Sequence, residues 1–147
     1  MSGFKQYLTG VMDQAVAEAL RDRSATVEAQ HLLLVILAAL DLAGLDADSF
    51  RAALDRDFEH SLGVAGVALS AFDLSPATPD PARRPGLGNS VRLALDRAMR
   101  AAGAGAPQPD HLLIGILSAE VGPVPRALAQ AGVDREELLA RLRAAAS

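Results

Sequence analysis

Apolar residues first recur at three- and four-residue steps: Phe4, Tyr7, Leu8, Val11, Met12, Ala15, Ala19 and Leu20. That spacing predicts an amphipathic helix with one buried face. From about Gln30 to Leu40 nearly every position is apolar, which predicts a central helix covered on several sides. Gly44-Leu45-Asp46 interrupts the run. Phe50, Leu54, Phe58 and Leu62, at i+4 spacing, then predict a third helix ending near Gly63. The segment VAGVALSAFDL (64–74) is apolar without a clear period and supports no assignment. Four of the eight prolines and two glycines fall in SPATPDPARRPGLGN (75–89), a composition that predicts an exposed linker.

After the linker the first pattern restarts. Val91, Ala94, Leu95, Ala98, Met99 and Ala102 predict an amphipathic helix with Asn89 or Ser90 as its cap. A second wholly apolar helix is expected at about 110–119. A short one should begin near Pro123 or Pro125, because proline is tolerated in a first turn. Gly132-Val133-Asp134 breaks the chain as GLD did before. Asp134 and Glu137 then have capping-box spacing for a last helix carrying Leu138, Leu139 and Leu142.

The chain is therefore written twice. TVEAQHLLLVIL (26–37) is echoed by APQPDHLLIGIL (106–117), and an A-x3-A motif precedes each, at Ala15/Ala19 and Ala94/Ala98. Ala19 to His31 is 12 steps and Ala98 to His111 is 13; His31 to Gly44 is 13 steps, but His111 to Gly132 is 21. The first copy thus lacks a helical turn or more. The expectation is an all-α unit of about seven or eight helices. Two repeats would be related by a pseudo-twofold axis, each covering an apolar stripe the other cannot bury alone. Its boundaries would be a single domain over 1–147, with repeat one at about 4–63, the linker at about 64–89 and repeat two at about 90–145.

Composition narrows the chemistry. Half of the 147 residues are apolar, enough for one well-buried core. There is no Cys, which removes disulfides, thiolate chemistry and the commonest zinc ligand. His31, His111 and His60 are the three histidines, and no H-x3-H pair lies on a helix. A first-turn histidine bonded to backbone explains His31 and His111 better than a metal site. No G-x-S-x-G elbow occurs, and Asp55 with Glu59 reads as a solvated helix face. Lys5 is the only lysine and no P-loop glycines surround it, so ATP hydrolysis by that route is not expected. The reading is no enzyme, no metal and no cofactor.

The net charge of −4 divides unevenly: residues 1–80 hold 5 basic and 12 acidic side chains, residues 81–147 hold 9 and 6. The halves carry −7 and +3, without the basic stripe or aromatic cluster that nucleic-acid binding needs. No apolar run reaches membrane-span length, and MSGFKQYLTG lacks the pattern of a secretory signal. A cytoplasmic monomer, binding neither nucleic acid nor membrane, is expected.

The duplicated motif resembles the double N-terminal repeat of Clp-type AAA+ unfoldases, especially the ClpC kind. Its wording appears as AVAEALRDRSATVEAQHLLLVIL…GLD and as ALDRAMRAAGAGAPQPDHLLIGIL…AGVDREELLARL, with GPVPRALAQAGVD matching the family's approach to the second turn. The resemblance covers about 120 of the 147 residues. It implies a module that binds polypeptide substrates, adaptors or a Clp unfoldase in regulated proteolysis. In ClpC it also implies binding of arginine-phosphorylated proteins and of cyclic peptide antibiotics. Without the motor, the chain is expected to act as a stand-alone N-domain. A sensor or decoy that binds such cyclic peptides is the alternative.

The same resemblance singles out positions for binding. A glutamate before each histidine accepts the phosphoarginine guanidinium in that family; here those positions are Gln30, which has no charge, and Asp110, which is one methylene shorter. The family's F-T pair near a helix start is here Phe4-Lys5. A groove between the first helices of the two halves would involve Phe4, Tyr7, Val11, Leu87 and Val91. Plain core packing of these apolar residues, and a dipole-favouring role for Asp110, are the competing readings.

Overall fold

Each half builds its interior on one apolar helix, caps the start of that helix with a histidine, and enters its last helix through a glycine-x-aspartate turn. The structure is a computed structural model and describes residues 3–40, 42, 44–64 and 85–146, apart from the side chains of 61–64. The unassigned apolar run and most of the proline-rich linker, residues 65–84, lie outside the described residues.

Seven helices occur among the described residues: α1 (Gly3–Arg21), α2 (Ala29–Ala39), α3 (Ala47–Val64), α4 (Asn89–Ala102), α5 (Pro109–Leu117), α6 (Pro123–Gln130) and α7 (Arg135–Ala146). The chain is all-α, as its periodicity predicts. Two short strands, β1 (Thr26–Val27) and β2 (Gly86–Leu87), pair in parallel and bring the end of the linker against the α1–α2 loop.

The repeated HLL segments now have a physical explanation. Leu32 to Leu37 of α2 and Leu112 to Leu117 of α5 are buried throughout, so both helices run through the core. Each fully buried Leu or Ile contributes about 1.5–3 kcal/mol. The histidine before each run caps the helix start: Nδ1 of His31 accepts the Glu28 amide N–H at 2.9 Å, and Nδ1 of His111 accepts that of Gln108 at 2.9 Å. Each bond satisfies a backbone donor that a buried helix terminus would otherwise orphan.

The G-x-D breaks are equally alike. Gly44 and Gly132 sit at φ +81° and +76°, a left-handed geometry glycine adopts without Cβ strain. The aspartates that follow cap the next helices: Asp46 Oδ1 accepts the Ser49 amide at 2.7 Å, and Asp134 Oδ1 accepts the Glu137 amide at 3.2 Å. Between apolar helix and break, the second half inserts α6, for which the first half shows no counterpart among the described residues. That is the eight-residue difference (21 − 13) in spacing.

The A-x3-A motif also has a cause. Ala15, Ala19, Ala94 and Ala98 are buried, and α4 packs on α5 closely enough that a Cβ on Gly115 would fall 2.1 Å from the Ala94 carbonyl oxygen. Across the halves, Ser90 accepts the Ala29 amide at 2.8 Å and donates to the Glu28 carboxylate at 2.6 Å. Thr26 donates to the same carboxylate, which lies directly over Gly88. Ser90 thus serves α2 of the other half, and Gly88 is the residue at the cap position of α4, where Asn89 or Ser90 was expected. Far-separated α3 and α6 are joined by Arg126, whose Nε donates to both oxygens of buried Asp57 at 3.0 and 3.1 Å.

Candidate functional site

The structure separates the expected binding residues into core and surface. Val11 is 6% exposed and Val91 0%, so both belong to the core and neither can line a groove. The helical stripe that suggested a docking face at these two positions is the stripe that buries α1 and α4. Phe4 and Tyr7 are half-buried against that core, Lys5 is exposed, and Leu87 stands 40% exposed on β2.

Gln30 and Asp110 occupy matching places, each the second residue of its helix, and both are half-buried. The two clefts that Gln30 lines do not include Asp110. Asp110 stands near Tyr7, whose phenol is pushed to higher pKa, first by burial and then by the Asp110 charge. Gln30 instead lines a cleft of about 520 Å³ between the α1–α2 loop, α3 and α6.

That cleft has apolar walls and an acidic rim. Leu54 and Phe58 come from α3, and Pro123 from α6. Phe58 is 58% exposed, although its place in the Phe50, Leu54, Phe58 stripe predicts burial. Burial fades along α3: Phe50 is fully buried, Leu54 half-buried and Phe58 open. The rim carries Asp22, Asp55 and Asp57, with Arg126 bound to the last. Asp22 Oδ2 lies 2.9 Å from Nε2 of His31. Since Nδ1 of that ring already accepts a backbone N–H, Nε2 carries the hydrogen and donates it to Asp22.

At Gln30 and Pro123 this cleft adjoins a smaller one of about 100 Å³, lined by Leu93, Arg97 and Val121 among others. Val121 is 85% exposed. A third hollow of about 830 Å³ lies at the two G-x-D turns, between the starts of α3 and α7, with Arg56 and Arg141 on its sides. Among the described residues no group of three His, Cys, Asp or Glu side chains could hold a metal ion. No helix among them is long and apolar enough to cross a membrane.

Asp22, Asp57, Phe58, Arg126 and Val121 escaped the sequence reading. Asp55 was visible only as part of a solvated face, and it does remain exposed while lining the cleft. No local signal marks Asp57 and Arg126 as partners, because 69 residues separate them.

Comparison with solved structures gives a reference for the fold. The chain is similar in structure to the N-terminal domain of the caseinolytic protease associated chaperone ClpD from Arabidopsis thaliana. The match has 20% identity and a TM-score of 0.60, and covers 90% of this chain and 85% of that one. The fold is therefore Clp N-domain-like. No family model and no curated protein matches the sequence.

Proposed function

We propose that this chain is a non-catalytic protein- and peptide-binding module of the Clp N-domain kind. It recruits polypeptide substrate, adaptor or a Clp unfoldase for regulated proteolysis, as a monomer in the cytoplasm. The observation that carries this reading is the pair of adjoining clefts where the halves meet, with Phe58 and Val121 open beside them. Exposed apolar side chains in a rimmed groove suit polypeptide contacts better than a reacting small molecule. The fold similarity to a protease-associated chaperone domain supports the same reading.

Phosphoarginine recognition falls to Asp110, since Gln30 offers no charge to a guanidinium. The alternative, a sensor that binds cyclic peptide antibiotics, is favoured by the half-buried Phe4 and Tyr7 and the exposed Leu87.

Fluorescence anisotropy with a labelled, permanently unfolded polypeptide tests recruitment, with plain and arginine-phosphorylated peptides alongside. Binding at tens of micromolar is expected, with Asp110→Ala lowering only the phosphoarginine component. Failure of every polypeptide to bind refutes the module. Calorimetric heat with a cyclic peptide alone would transfer the function to the alternative.

A further inference from the structure

We propose that the cleft between the α1–α2 loop, α3 and α6 docks a polypeptide segment bearing an unmodified arginine or lysine beside a bulky apolar residue. This rests on the peptide-binding reading above and specifies which peptides the site selects.

The charge count comes first. Three carboxylates, Asp22, Asp55 and Asp57, line the cleft against one cation, Arg126, leaving two negative charges in excess. Arg126 is committed, because its Nε is bonded to both oxygens of buried Asp57. Asp22 accepts the His31 hydrogen bond through one oxygen and also lies in the field of Arg51, a guanidinium that is itself bonded to Glu18. Asp55 is exposed and makes no ion pair among the described residues. The rim therefore keeps carboxylate in excess of cation at two points: Asp55 on α3, and Asp22 on the loop after α1, whose charge is only partly offset by an arginine shared with Glu18.

The walls supply the second requirement. Phe58 presents an aromatic ring to solvent, flanked in the cleft by Leu54 and Pro123. A guanidinium or ammonium near such a ring gains a cation–π attraction in addition to its carboxylate contacts. The methylene stem of the same side chain, and an adjacent apolar residue, cover the apolar wall. The adjoining hollow at Leu93 and Val121 continues that apolar surface beyond Gln30 and Pro123.

The same features discriminate against phosphoarginine. A phosphorylated guanidine would bring negative charge to an acidic rim whose one arginine is already paired. Selectivity here is thus opposite in sign to that proposed at Asp110, and the two sites can be told apart.

The test uses fluorescein-labelled nonapeptides with a Leu-Arg-Phe core, the arginine also being replaced by lysine, citrulline, glutamate or phosphoarginine. The arginine and lysine peptides are expected to bind, with citrulline about tenfold weaker and the two anionic versions weaker still. Asp22→Asn and Asp55→Asn should each cost the arginine peptide about twofold to fivefold, and together should remove its advantage over citrulline. Asn at 22 can still accept the His31 hydrogen bond, and position 55 is exposed, so the fold should survive both changes. Phe58→Ala should weaken all versions about fivefold, whereas Asp48→Asn, on an exposed position outside the cleft, should change nothing. Raising salt should erode the arginine preference, because exposed charges are screened. Binding that ignores the peptide's charge, prefers phosphoarginine, or is blind to the Asp22 and Asp55 changes overturns this site while leaving peptide recruitment standing. Absence of binding by all five peptides and by unfolded polypeptide overturns both.

Discussion

Gly115→Ala and Gly10→Ala are the same chemical change in two helices, and the structure assigns them opposite signs. A methyl group on Gly115 would lie 2.1 Å from the Ala94 carbonyl oxygen and 2.9 Å from the Ala98 nitrogen, both backbone atoms of α4. Favourable carbon contacts begin near 3.5 Å, so α4 and α5 would have to separate by roughly 1 Å. No rotamer change relieves a backbone contact. Overpacking of this kind costs about 1–3 kcal/mol, and the upper end applies here. Alanine's helix propensity returns about 1 kcal/mol, leaving a net loss of about 2 kcal/mol. For a chain of this size that lowers Tm by about 4–8 °C. Gly10 lies on the exposed face of α1 with nothing within 4 Å of an added Cβ. There only the propensity term acts, and Gly10→Ala should stabilise by about 0.5–1 kcal/mol. Urea unfolding followed by far-UV circular dichroism measures both. If both variants gain stability, α4 and α5 do not approach as described, and the role given to the second A-x3-A motif fails.

Two other outcomes follow from particular contacts. Tyr7 is the chain's single tyrosine, so its titration can be followed by tyrosinate absorbance alone. Its pKa in the fold is raised above 10.0, so its contribution to stability is complete below that pH and lost as pH climbs through the raised value. Asp110→Asn should bring the midpoint down part of the way, since burial is the larger cause; an unmoved midpoint would separate Tyr7 from Asp110. The Asp57–Arg126 pair should respond unequally to its two deletions. Arg126→Ala strands a buried carboxylate and should cost about 2–3 kcal/mol, whereas Asp57→Ala frees a half-exposed guanidinium to hydrate and should cost about 1 kcal/mol. Equal losses in thermal unfolding would show that Asp57 is not sealed from water.

Helix type, the duplication and the repeated breaks were all legible in the chain, because each is set by neighbours a few residues apart. Periodicity at three and four residues marks a buried face whatever it packs on. The His31 and His111 caps reach three residues back, and the Asp46 and Asp134 caps three residues forward. The eight-residue difference between the halves likewise announced that the first lacks a helical turn or more. What periodicity cannot say is which part of an apolar stripe ends up covered. Val11 and Val91 proved to be core and Phe58 proved open, since coverage depends on where other helices end in space. The acidic cleft was illegible for the same reason. It draws Asp22 from a loop, Asp55 and Phe58 from α3 and Arg126 from α6, and only the packing of α2 and α6 on α3 brings them together. Short-range hydrogen bonding and periodic burial are written in sequence order; a surface assembled from distant segments is decided by tertiary packing.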